Sequence, residues 1–219
     1  MSGYNLDTEA AKQADTGGGR ITETGKYVGQ FTVAKKVLSK KGTQGIEFSF
    51  ESNAGQTADY LSMWTINQDG DHIFGFKQLM ALMTCLRVRG IDTSMATVEE
   101  YDRDTNGKVK RQLEVYKELM HKPIGILLQM EEYEKKDGSP GAKPVFAGFF
   151  DPKTEQVATE ILDKSDARIL EKQVSQLTPL RRLKSARPAA AAGQPALAGA
   201  SFDDDIPFAP MSRKALISI

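Results

Sequence analysis

Apolar side chains alternate with polar ones in three successive segments, then fall at helical spacing, then alternate in two more. Over 26–38, Tyr27, Phe31 and Val33 share one side while Lys26, Gln30 and Thr32 share the other. Ile46, Phe48 and Phe50 alternate with Glu47, Ser49 and Glu51, the pattern of a half-buried strand. Gly42-Thr43-Gln44-Gly45 supplies the turn between these two segments. A third strand is predicted over 58–67, after Asn53-Ala54-Gly55, and carries Tyr60 and Trp64.

The period then changes. Ile73, Phe76, Leu79, Met80, Met83 and Leu86 lie at helical spacing behind Asp71, which reads as the N-cap. A polar stretch over 92–110 reads as irregular, and Leu113, Tyr116, Leu119 and Met120 as a short amphipathic piece. Strands are predicted over 124–133 and 145–150, joined by a turn around Asp137-Gly138-Ser139-Pro140-Gly141. A final helical segment is expected over 154–177. Three strands, a helix and two strands is the order of an oligonucleotide-binding (OB) barrel. The expected fold is thus mainly β with helices, an OB-like barrel followed by a C-terminal helical segment and a disordered tail. The expected boundaries are a flexible lead at 1–20, the barrel at 21–152, the helical segment at 153–178, and a linker with an acidic tip at 179–219.

Charge narrows the functional classes. The 29 basic and 29 acidic side chains balance, which excludes coating of duplex DNA by bulk charge. The balance is uneven along the chain: 20–91, which includes Arg87 and Arg89, is net +3, and 92–178 is net −4. One cysteine, Cys85, excludes internal disulfides and cysteine-built zinc sites, and two histidines are too few for a histidine-rich metal site. No cofactor or metal is expected. Walker loops and nucleophile elbows are absent, so the chain does not read as an enzyme. Carboxylates at Asp102 and Asp104, or at Glu131, Glu132 and Glu134, read as solvated surface charge. No signal peptide or membrane-length apolar run is visible, and a cytoplasmic location is expected.

OB barrels bind ligands across strands two and three and at the loops joining strands one and two and strands four and five. Both loops carry lysine here: Lys35, Lys36, Lys40 and Lys41 at the first, Lys135, Lys136 and Lys143 at the second. Single strands are held by basic grooves and by aromatic rings that stack on bases. Leu61 and Met63 are more apolar than Tyr60 and Trp64 on the opposite side of the third strand. This makes Tyr60 and Trp64 the stacking candidates, with Phe48, Phe50, Tyr27 and Phe31 assigned to the core. Arg87 and Arg89 join the candidate DNA contacts.

After an Ala/Gly/Pro tract over 186–200 comes a compact acidic and aromatic motif: Phe202, Asp203, Asp204, Asp205, Ile206, Pro207 and Phe208. Its rings suit apolar pockets and its aspartates suit basic side chains of a partner. It resembles the acidic tip of bacterial single-stranded-DNA-binding proteins, which recruits replication and repair enzymes. Eleven residues, 209–219, follow it here, whereas the bacterial tip ends the chain.

The body resembles a phage-encoded family of single-stranded-DNA-binding proteins. The resemblance runs through TETGKY at 22–27, KGTQGIEF at 41–48, QTADY at 56–60, LMALMTCLR at 79–87, KPIGILLQ at 122–129 and FFDP at 149–152. It implies an OB-like core, single-stranded DNA as ligand, and replication or recombination proteins as partners of the tip. Self-association is left open. Two rival readings are a protein-interaction adaptor that uses the same tail and a subunit of a recombination nuclease.

Overall fold

In a computed structural model, residues 18–102, 104–105 and 107–182 are described. The expected tip, 202–208, lies outside them. The fold is mainly β. Its strands are β1 (Gly19–Arg20), β2 (Gly25–Leu38), β3 (Gln44–Ser52), β4 (Gln56–Ile66), β5 (Ser94–Asp102), β6 (Gly107–Val115), β7 (Pro123–Glu134) and β8 (Pro140–Phe150). The helices are α1 (Phe74–Cys85), α2 (Ala158–Asp163) and α3 (Ile169–Ser175).

One long strand organises the sheet. The first part of β2, Gly25 to Gln30, pairs antiparallel with β7, and Gly29 to Leu38 pairs with β3. Changing partners midway forces the sheet to curl into half a barrel. Gly29 sits at the changeover, paired with both Ser52 and Ile124. A Cβ there would lie 2.0 Å from the Glu51 carbonyl oxygen, so only glycine allows the strands to approach this closely. Two residues further on, the register slips between Phe31 and Val33, a bulge that bends β2 more strongly. Inside the curl, Phe31, Phe48 and Phe50 are buried as expected, and Phe146 and Phe149 complete an aromatic core. Tyr27 is only half-buried and donates its hydroxyl to the Glu23 carbonyl.

Helix α1 packs against β4 and β8, which are not hydrogen-bonded to each other. It starts without the side-chain cap expected from Asp71: Ile73 is the N-cap, and Asp71 instead closes a turn with Asn67. The helix buries Leu79, Leu82, Met83 and Cys85 but leaves Met80 exposed. Burial pushes the Cys85 thiol up to about 12, with Asp151 adding to the shift and Arg87 opposing it, so the thiol is a packed apolar group. No helix among the described residues is long and apolar enough to cross a membrane.

The segment 92–110, read as irregular, is corrected to a hairpin. Strands β5 and β6 pair from Ser94–Val115 to Asp102–Gly107. Its inward positions are Ala96, Val98 and Glu100, of which Val98 and Glu100 are buried. A buried carboxylate in that row hides the alternation. The amphipathic piece after it is the end of β6 followed by a 3₁₀ turn, Lys117–Leu119. The Tyr116 N–H bonds to the Ala34 carbonyl and the His121 N–H to that of Phe31, so the chain leaves the hairpin along β2.

The single C-terminal helix expected over 154–177 is likewise two short helices. Lys164, with φ of 52°, ends α2 in the left-handed conformation. Beyond α3 the chain stays bound to β7: the Arg181 N–H donates to the Met130 carbonyl, and the Glu132 N–H to that of Arg181.

Candidate nucleic-acid interface

The turn over 39–43 presents Lys40 and Lys41 to solvent. Its backbone is fixed from within, because the Ser39 hydroxyl accepts from the N–H groups of Lys41 and Thr43 and Gly42 takes φ of 82°. Directly after the turn, Gly45 pairs with Trp64 across β3 and β4. A Cβ on Gly45 would lie 2.8 Å from the Trp64 ring, so glycine lets the indole lie against β3. Leu61 and Met63 face the core at 1% exposure each, and Trp64 faces outward at 37%. The outward indole thus lies close to the Lys40–Lys41 turn at one end of the outer sheet face; the outward turn of Trp64 is the one the alternation pointed to.

Other candidates are placed differently. Lys35 lies within β2, not in the loop, and its ammonium is held between Glu47 at 3.0 Å and Glu100 at 2.5 Å. Glu100 also faces Arg111 at 3.5 Å, and Arg111 pairs with Asp102. This network fastens the hairpin across the sheet and uses Lys35 as internal counter-charge, which removes it from the candidate phosphate contacts. Burial alone would lower the Lys35 pKa, but the bonds and charges of Glu100 and Glu47 outweigh it and raise it. A raised lysine contributes stability that is complete below its ordinary value of 10.5 and lost as pH rises through the folded value. Lys35→Met should cost about 2 kcal/mol near neutral pH, between exposed and fully buried pairs. In urea titrations the gap to the parent should close above pH 10.5; a pH-independent gap would refute an electrostatic role.

Tyr60 also serves the hairpin. It stands in a β4 bulge at φ of 60°, and its hydroxyl donates to the Tyr101 carbonyl at 2.7 Å. That hydrogen bond ties β4 to β5, and the half-buried ring is not an open platform like Trp64. Lys36 is exposed with Glu114 at 3.5 Å, and Arg87 faces Asp151 at 3.3 Å. Arg89 is exposed. Lys135 and Lys136 are exposed in the β7–β8 turn, and Lys143 stands opposite Glu131. The register sets this second turn beyond the N-terminal end of β2, while Lys40 and Lys41 follow its C-terminal end. The two lysine turns thus lie at opposite ends of one long strand.

The chain matches no family model and no curated protein. Geometry and chemistry must therefore carry the functional argument. Between the hairpin and the outer face of β2, β3 and β4 lies a cavity of about 680 Å³ that the sequence did not announce. Thr32, Ser49, Glu51, Thr57 and Asp59 line its sheet side, and Lys108, Lys117 and His121 line it from the hairpin and the chain that follows. Finding it required knowing that 94–115 folds back over the sheet. No cluster of three or more His, Cys, Asp or Glu among the described residues could hold a metal ion. His72 stacks on Phe76 with ring centres 3.6 Å apart.

Proposed function

We propose that this protein binds single-stranded DNA with little sequence preference during replication, recombination or repair, without catalysing a reaction. The observation that carries this reading is Trp64 lying exposed beside the Lys40–Lys41 turn on the outer face of an OB-type sheet. An indole offers a π face to any base, and neighbouring ammonium groups offer charge to the phosphates on either side. Lys36, Arg87, Arg89, Lys135, Lys136 and Lys143 belong to a wider, weaker path for the strand. In the same reading the motif from Phe202 to Phe208 recruits replication or recombination proteins.

Titration of the full chain with fluorescent oligo-dT is the test. With about three to five phosphates neutralised, log K should fall against log[salt] at about −0.7 per phosphate. Replacing Lys40 and Lys41 together by alanine should flatten the slope by roughly 1.4. Affinity that does not change with salt would refute the reading. Absence of binding would favour the adaptor, whose sheet face meets protein instead.

A further inference from the structure

The groove under the hairpin has a chemistry that the Trp64 end lacks. Its floor consists of two cross-strand rows. Gln30, Glu51 and Thr57 stand side by side on β2, β3 and β4, since Gln30 pairs with Glu51 and Glu51 with Thr57. Thr32, Ser49 and Asp59 form the next row toward Trp64, with Thr32 and Asp59 each at a slip in register. Glu51 and Asp59 are half-buried and form no ion pair among the described residues. The cations nearest the hairpin's crossing, Lys35 and Arg111, are already taken by Glu47, Glu100 and Asp102.

The roof is β5 seen edge-on. Ala96, Thr97, Val98 and Glu99 all line the cavity although side chains alternate along a strand, so a backbone edge faces inward. The Tyr101 carbonyl, taken by the Tyr60 hydroxyl, marks the same edge. Because β5 ends its sheet, this edge offers main-chain donors and acceptors to whatever enters. Lys108 and Lys117 add positive charge. A cavity of about 680 Å³ lies in the range that encloses a small organic ligand, which suits one or two nucleotides.

These groups sort the bases. Ionised carboxylates only accept hydrogen bonds, and they suit the exocyclic amines of cytosine, adenine and guanine. Thymine has no such amine, and its one exposed donor, N3–H, lies between two carbonyl oxygens that a carboxylate repels. Along β4 the rows at Thr57 and Asp59 lead to Ser62 and Trp64 on one outer face, so a strand stacked on Trp64 can reach the groove past exposed Ser62, alongside the Lys35 and Tyr60 contacts that hold the hairpin on the sheet. We propose that the roofed groove is a base-selecting subsite of that path. It takes an unstacked amine-bearing base, cytosine, adenine or guanine, whose amine donates to Glu51 or Asp59, with Lys108 and Lys117 on neighbouring phosphates. This rests on the single-strand reading above and adds to it a preference that the indole alone would not produce.

Anisotropy titrations of the full chain with oligo-dC, oligo-dA and oligo-dT of equal length test the proposal. Oligo-dC and oligo-dA should bind about fivefold more tightly than oligo-dT, as one base-edge contact allows. The double variant Glu51→Ala/Asp59→Ala, which removes both carboxylate acceptors from the groove floor, should lose that preference, the three oligomers binding alike. Thr57→Trp, which fills the groove from its floor, should also abolish the preference, with thermal unfolding confirming that both variants fold. Equal affinity for the three oligomers, or a preference that survives both variants, would overturn the subsite while leaving single-strand binding in place. If none of the oligomers binds, both proposals fall.

Discussion

Trp64→Ala should weaken binding of oligo-dT by roughly 5- to 150-fold, the 1–3 kcal/mol that one base stacked on an aromatic ring contributes. The loss should appear at every salt concentration, because the indole carries no charge and releases no counterion. Lys40→Ala/Lys41→Ala should instead change the salt slope, so the two variants separate stacking from phosphate contact. Folding should be little affected. Leu61 and Met63 fill the inner side of β4, and where Trp64 meets α1 it is its backbone that lies against Gly75, which alanine preserves. Trp64 is also the sole tryptophan of the chain, so its fluorescence reports the site directly. Oligo-dT should quench it in proportion to binding. Unquenched fluorescence at saturation would remove Trp64 from the interface, and a large fall in the unfolding temperature of Trp64→Ala would make it a structural residue.

Strands β3 and β4 were legible because each has one wetter and one dry side, whereas β7 is buried on both sides from Ile124 to Met130. Alternation in Ile46, Phe48 and Phe50 reports directly which side is buried, and the same logic turned Trp64 outward. Bulges did not prevent this, since they shift the register without changing which residues are apolar. The hairpin β5–β6 was illegible for a complementary reason. Its buried row ends in Glu100, and burial of a carboxylate depends on Lys35 and Arg111, which lie 65 and 11 positions away in the chain. No local pattern encodes a pairing across such a separation. Lys35 was misplaced by the same blindness, for a lysine near a loop looks identical whether it faces phosphate or two glutamates. The groove follows from the hairpin, so its residues, Glu51 and Asp59 among them, passed as ordinary polar positions of half-exposed strands.

Glu160 shows the same principle at the C-terminal end, and it yields the largest expected effect on stability. The side chain is 2% exposed. One carboxylate oxygen accepts the N–H of Val157 at 3.0 Å, at the start of α2. The other accepts those of Arg168 at 2.6 Å and Ile169 at 2.8 Å, where α3 begins. A single carboxylate thus closes the N-terminal ends of both short helices, neither of which is long enough to be stable alone. Burial pushes its pKa up, but the three backbone bonds outweigh burial and hold it below the ordinary 4.5. A depressed carboxylate contributes stability that is complete above its unfolded value and lost as pH falls through the folded one. Protection of the Val157, Arg168 and Ile169 amides against hydrogen exchange should therefore hold at neutral pH and decay below 4.5. Glu160→Gln keeps the shape but aims an amide NH₂ at backbone donors, and should cost about 2–3 kcal/mol, the scale of a charged hydrogen bond lost in a buried site. In exchange experiments the variant should lose protection in α2 and α3 at neutral pH while the β2–β3 pairing keeps its own. At acidic pH, variant and parent should converge as the parent carboxyl gains its proton. Equal protection of the two at neutral pH would mean that packing of Val157 and Leu170 against Leu127 and Phe150, not the shared carboxylate, holds this segment on the barrel.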